Sequence, residues 1–238
     1  MKLASVDTST FTESVALIEG QTLRGERNIR RAYGHASGLH CDLRDLLDEA
    51  GWALEDLDGF VIGIGPGSFT GLRVGMAAVK GLAYALKKPL YGVSAATALL
   101  RGVVDDRDAL ALIDARRGEV YAQGPLMESL LGDPRCYTPD ALISALEDHQ
   151  HIPRLLVGEG ALKYRDQFLS AWPEALIPEG DMIHLPRASL LALSVAEALE
   201  HREVDEAHVA SLEPIYVRAS DAEINYPDGF PSEARLFS

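Results

Sequence analysis

The stretch IGIGPGSFTGLRVG, Ile62 to Gly75, places five glycines and a proline between two apolar runs. A glycine loop that follows a strand and opens a helix is a common cradle for phosphate. The spacing excludes the familiar versions. A P-loop ends in Gly-Lys-Ser/Thr, and here GLR stands in that place. The dinucleotide fingerprint has Gly63 and Gly65, but Ser68 occupies its third glycine position. The nucleophile elbow GxSxG fails because Pro66 replaces its first glycine. Two readings stand: a ligand loop of another kind, and a tight strand-to-helix turn.

Other groups with chemical potential are scattered. Asp7, Thr8, Ser9 and Thr10 follow the first apolar run, where a carboxylate and hydroxyls could face a phosphate. They also suit an Asx or ST turn opening a hairpin. Asp114 ends a strand in IDARRGEVY and could act as a base, or simply start the turn carrying Arg116 and Arg117. His35 and His40 are five apart, about 140° around a helix, which is poor spacing for a metal pair. His149 and His151 lack a carboxylate or thiol pattern to complete a zinc site. No nucleophile, base and orienter come together in the sequence. No metal site and no catalytic residue are expected.

The elements that must position these groups follow from periodicity. Strands are expected over Leu3 to Val6, Ser14 to Ile18 and Thr22 to Ile29, as successive hairpins. The segment HASGLHCDLRDLLDEAG reads as a helix with Leu39, Leu43, Leu46, Leu47 and Ala50 on one face and Gly51 as C-cap. Phe60 to Ile64 is a strand, Gly71 to Leu86 a helix, PLYGV a strand, and Ser94 the N-cap of another helix. The second half begins with a strand ending at Asp114, a turn, and EVYAQGPL. A helix from Pro139 to His149, the strand RLLVGEG, a helix over Ala188 to Leu199 and a late strand EPIYVR follow. Both halves lead with hairpins and then alternate helix and strand, as in a duplicated α/β unit. The boundaries are residues 1–105 for the first lobe, 106–219 for the second and 220–238 for a surface tail.

The helix over Gly71 to Leu86 carries only Arg73 and Lys80 as charges, seven apart on one face. Its remaining circumference is apolar or small, with Gly71, Gly75 and Ala78 allowing close approach. Such a helix is buried in a core or against a partner. The chain's net charge of −14 argues against binding nucleic acid or an anionic membrane alone. Two isolated cysteines, Cys41 and Cys136, give no zinc pair and no disulfide framework. The N-terminal residues are too polar for a signal-peptide core, and no apolar run reaches membrane-spanning length. A cytoplasmic protein is the expectation.

GPGSFTGLRVG, together with VDTST, YGVSA, IDARRGEVY and EPIYVR in that order, resembles the bacterial TsaB (YeaZ) family over roughly Leu3 to Arg218. The resemblance implies the two-lobed actin, Hsp70 and sugar-kinase (ASKHA) α/β fold. It implies a non-catalytic subunit acting with the paralogous TsaD and the ATPase TsaE. Together these move a threonylcarbamoyl group from its adenylate to the adenosine beside the tRNA anticodon. It further implies that two first-lobe helices pair with TsaD or with a second copy. Carried over, the interface residues are Leu39, Leu43 and Leu46 on one helix and Leu72, Arg73, Gly75, Met76, Val79 and Lys80 on the other. tRNA would be met only through the complex. Asp7 to Thr10 matches the superfamily's first phosphate loop, so weak ATP or ADP binding is the one cofactor expectation. His40-Cys41 stands where many members resemble Leu-Pro or Ile-Pro. The alternative from another class is a self-standing phosphotransferase or metallopeptidase-like enzyme.

Overall fold

A computed structural model describes residues 1–30, 38–103, 108–124, 135–199 and 211–217. His35 and the tail 220–238 lie outside them. The first lobe contains β1 (Lys2–Asp7), β2 (Thr12–Glu19), β3 (Thr22–Arg30), α1 (Leu39–Ala50), β4 (Gly59–Gly63), α2 (Phe69–Leu86) and β5 (Leu90–Val93). Helix α3 (Ala95–Arg101) leads into β6 (Ala109–Arg116), β7 (Glu119–Gln123), β8 (Arg135–Tyr137), α4 (Pro139–Asp148) and β9 (Leu155–Val157). Three helices follow: α5 (Glu159–Lys163), α6 (Arg165–Ala171) and α7 (Ala188–Leu199).

The sheets run β3-β2-β1-β4-β5 and β8-β7-β6-β9. In each, the first three strands are antiparallel and the next strand joins the first in parallel. The two halves therefore repeat one topology. β1 is buried on both faces, as a strand flanked on both sides within a covered sheet must be. Helices α1 and α2 cover one face of the first sheet around Ala4, Val6, Phe60, Ile62 and Leu90. In the second lobe, Leu110, Leu112, Leu156, Phe168 and Trp172 form the core with α4.

The ends of the helices are set locally. Ser68 caps α2 by accepting the Gly71 amide, and Ser94 caps α3 by accepting the Ala96 amide. Gly51 closes α1 in the left-handed region at φ 68°, as its sequence position indicates. Arg27 on β3 ties α1 down through Asp42, Asp45 and Glu49, at 3.4, 3.0 and 2.6 Å.

Two expectations need correction. Helix α7 does not belong to the second lobe. It packs Leu191, Ala192 and Val195 on Leu3, Ile18 and Val61 of the first sheet. Its leading amides, at Ala188 and Ser189, are met by Ser14 Oγ and Glu26 Oε1 from β2 and β3. The first sheet has a second apolar face that its own helices leave bare, and α7 covers it. The boundary of 106–219 thus misplaces this helix. The EPIYVR strand is likewise absent over the described Glu213 to Val217. This segment runs as an extended strap, with a backbone bond from Ile215 N–H to the Ile64 carbonyl, and Leu212 packs beside Gly92.

The glycines of the loop now have a physical account. The Asp7–Ser9 turn lies against them. The Ser68 amide donates to the Ser9 carbonyl at 2.6 Å, and Thr8 Oγ1 donates to the Gly71 carbonyl at 2.8 Å. A Cβ on Gly63 would overlap Asp7 Oδ2, one on Gly67 the Ser9 carbonyl, one on Gly71 the Thr8 carbonyl and one on Gly75 Thr8 Oγ1. Gly81 on the same helix has nothing within 4 Å of that position. Gly71→Ala should therefore lower the unfolding midpoint sharply. Gly81→Ala should raise stability by about 0.5–1 kcal/mol through helix propensity. Thermal unfolding of the two variants checks the contrast, and equal effects would refute the packing account.

Candidate partner interface and interlobe cleft

Helix α2 divides its circumference sharply. Leu72, Gly75, Met76, Val79 and Ala83 face inward. Thr70, Arg73, Ala77, Gly81, Tyr84 and Ala85 face outward, with Tyr84 82% exposed. On α1, His40, Cys41, Arg44 and Asp48 are exposed. The outer stripe of α2 is thus small and apolar, with one large aromatic at its end.

This corrects the residue assignment made from sequence. Leu39, Leu43, Leu46, Leu72, Gly75, Met76 and Val79 are buried in the lobe's own core. They position the two helices and present no surface of their own. Of the assigned residues, Arg73 is exposed and Lys80 is half-buried. The uninterrupted apolarity of α2 arises from two causes: large residues inside, and alanine and glycine outside. Periodicity of large side chains would have separated the two faces.

Arg73 is held in place. Its guanidinium lies 3.8 Å from the Phe69 ring centroid and 5.7 Å from that of Tyr216, and its Nε donates to the Tyr216 hydroxyl at 3.1 Å. Tyr216 comes from the strap, a contact that sequence spacing alone could not reveal.

A cavity of about 430 Å³ lies where the lobes meet. Ser9, Thr10 and Phe11 line it from the first hairpin, Ser68 to Thr70 from the start of α2, and Asp114 to Arg116 from the second hairpin. Glu159 and the strap complete it. Asp114, Arg116 and the Gly158–Gly160 loop thus converge with the Asp7–Thr10 turn, although sequence spacing gave no sign of it.

The fold family implies a nucleotide in such a cleft, and these residues do not fit its phosphates. The Ser9 amide and hydroxyl both donate to Asp7 Oδ1, at 3.0 and 2.7 Å. The Thr12 amide donates to Thr10 Oγ1 at 3.2 Å and the Arg116 amide to Asp114 Oδ1 at 2.9 Å. The glycine loop is filled by the chain's own backbone. Asp7 is fully buried with Oδ2 unpartnered. Burial pushes its carboxyl up to about 7, against the opposing hydrogen bonds from Ser9, and Glu159 adds to the rise. Burial likewise raises the Glu159 carboxyl. His40 sits exposed on α1, and among the described residues no three side chains form a metal-binding group.

The chain matches, over residues 32–226, the family model described as TsaD: tRNA N6-adenosine threonylcarbamoyltransferase. It is 30% identical over 237 residues to the tRNA threonylcarbamoyladenosine biosynthesis protein TsaB of Haemophilus influenzae, spanning 92% of this chain and 94% of that one. The chain belongs to the TsaB (YeaZ) family. TsaB of Bacillus subtilis is 28% identical over 95% of this chain and 98% of its own length. YeaZ from Pseudomonas aeruginosa superposes with a TM-score of 0.67 at 28% identity, covering 90% of this chain and 99% of that structure. The Lmo2764 protein of Listeria monocytogenes, described as a candidate N-acetylmannosamine kinase, reaches a TM-score of 0.50 at 11% identity. It covers 84% of this chain and 100% of its own, so the TsaB-family chain has the sugar-kinase-like α/β fold. No helix among the described residues is long and apolar enough to cross a membrane.

The Asp7 environment gives a pH prediction. Its folded value of about 7 lies above the ordinary 3.8, so the fold favours the protonated form. That stabilisation is complete below about pH 4 and is lost as pH rises through 7. Asp7→Asn, which keeps the acceptor for Ser9 and carries no charge, should raise the unfolding midpoint over the native chain at pH 8. The gain should shrink steadily toward pH 4. Thermal unfolding across that range measures it, and a pH-independent difference would count against the buried neutral acid.

Proposed function

We propose that this chain is a non-catalytic interaction subunit in tRNA threonylcarbamoyladenosine biosynthesis. It docks on the catalytic paralogue TsaD and works with TsaE to place a threonylcarbamoyl group on the adenosine beside the anticodon. Its work is done in the cytoplasm. The observation that carries the reading is the outer stripe of α2: Ala77, Gly81 and Ala85 let another helix approach closely, and Arg73 and Tyr84 stand at its two ends. Family membership supplies the pathway. The net charge of −14 supports contact with tRNA only through the complex. In isolation the same stripe pairs with a second copy.

A self-standing phosphotransferase is the second reading, favoured by the interlobe cavity. It is weakened by the loop amides at Ser9, Thr12 and Arg116, all bonded within the chain. A search for ATP turnover by the purified chain separates the two.

Ala77→Glu and Gly81→Glu add a charge at outward positions and should leave the fold intact. Each should weaken association with TsaD, and self-association, by tenfold or more, which requires only about 1.4 kcal/mol. Co-purification with TsaD from the same organism and light scattering read the effect, with circular dichroism as the folding control. Wild-type association in both variants would remove α2 from the interface. Met76→Glu should behave differently, because it buries an unpaired charge in the lobe's own core and should unfold it.

A further inference from the structure

The chain carries 36 Asp and Glu against 22 Lys and Arg, so acids are plentiful around its surface arginines. Arg24, Arg27 and Arg101 each take at least one. Arg73 does not. Among the described residues its guanidinium meets no carboxylate. It lies over the Phe69 ring, one turn back on α2, and its Nε donates to the Tyr216 hydroxyl. These contacts use one of its five N–H groups. The four on its terminal nitrogens have no acceptor among the described residues, and the residue is exposed. No acid stands in the first turn of α2. A guanidinium over that turn faces the positive end of the helix, which is unfavourable for the helix itself.

The chain nonetheless fixes this side chain. Tyr216 sits on the strap, which is itself anchored by the Ile215 amide on the Ile64 carbonyl and by Leu212 against Gly92. Much of the rotamer freedom of Arg73 is therefore lost within the chain, before any partner arrives. The open end of its planar fork matches the two oxygens of a carboxylate. Ala77 and Gly81 continue outward from Arg73 at four-residue steps, so the fork opens beside the outer stripe. We propose that Arg73 is the specificity residue of α2: it takes a carboxylate on the facing helix of TsaD, and Tyr216 is the residue that positions it. This rests on the docking of TsaD on α2.

A second copy of the chain does not offer that carboxylate from its own α2, which contains no Asp or Glu. In a two-fold pairing both copies present the same face. Arg73 then meets only neutral or cationic residues of the other α2, whichever way the helices run. On α1, Asp48 is the exposed acid outside the ion pairs of Arg27. Arg73 thus separates the two occupants of the stripe. It adds to the binding of an acid-bearing helix and adds nothing to self-pairing through α2.

Calorimetry of the full chain with TsaD from the same organism, at low and high salt, tests the assignment, with light scattering for self-association. Arg73→Gln should weaken the TsaD complex about tenfold and remove most of its salt dependence, while self-association stays at the native level. Arg73→Lys keeps the charge without the fork and should recover part of the loss. Tyr216→Phe should weaken the complex several-fold, and should have no further effect in an Arg73→Gln background. Circular dichroism should be unchanged in each. Native affinity for TsaD in Arg73→Gln, where Ala77→Glu weakens the complex, overturns the role of Arg73 and leaves docking on α2 standing. Native affinity in both variants removes the docking and this role with it. A Tyr216→Phe loss that persists in the Arg73→Gln background overturns the positioning role. Loss of self-association in both Arg73→Gln and Asp48→Asn assigns the carboxylate to a second copy and overturns the choice of TsaD.

Discussion

The fit of the Asp7–Ser9 turn into the glycines of the β4–α2 connection governs the first lobe. Two peptide carbonyls and one hydroxyl of that turn occupy the space that side chains at Gly67, Gly71 and Gly75 would fill. The glycines recur every four residues, so they form one track along the start of α2. The track brings backbone against backbone, and the Ser9 carbonyl and Thr8 hydroxyl find partners there at hydrogen-bond distance. The direction in which α2 leaves the sheet follows from this contact. So does the orientation of its outer stripe and of Arg73. A loop that looks built for a phosphate is occupied by the protein itself.

That substitution has an electrostatic consequence. In a phosphate site, loop amides point at an external anion. Here the Asp7 carboxylate, the Thr10 hydroxyl and the Asp114 carboxylate take that role from inside the chain. Asp7 satisfies one oxygen on Ser9 and leaves the other against Gly63. A group in that position is more stable carrying a proton, since neither water nor a donor reaches the second oxygen. The cleft persists as a cavity between the lobes.

Much of the fold was legible in the residues. Leucine spacing marked α1, Gly51 its end, and Ser94 the start of α3. The hairpin-first order in both halves gave the repeated topology. The site was less legible, for identifiable reasons. Large and small apolar residues look alike to a binary pattern, so the two faces of α2 merge in the sequence, and the residues that the family resemblance assigns to the contact, Leu72, Met76 and Val79 among them, fall on the inward face. The apolar run of Ala188 to Leu199 was readable as a helix, but nothing local states which sheet it covers. The convergence of Glu159, Asp114 and Asp7 depends on how the lobes meet, which spacing along the chain does not encode. The Tyr216–Arg73 contact joins positions 143 residues apart and has no local signal at all.

The return of α7 to the first sheet matters for how the protein is made. Ala188 N–H bonds Ser14 Oγ across 174 residues, and Leu191 and Val195 shield Leu3, Ile18 and Val61. A ribosome releases the strands of the first lobe long before it releases that helix. Throughout this interval one face of the nascent sheet has no cover from its own chain. The first lobe therefore completes last, although it is synthesised first, and the second lobe can close while the first still exposes apolar surface. Closing so long a loop carries an entropic cost that grows only slowly with its length, but until it closes the uncovered face is apolar surface of the kind that promotes aggregation.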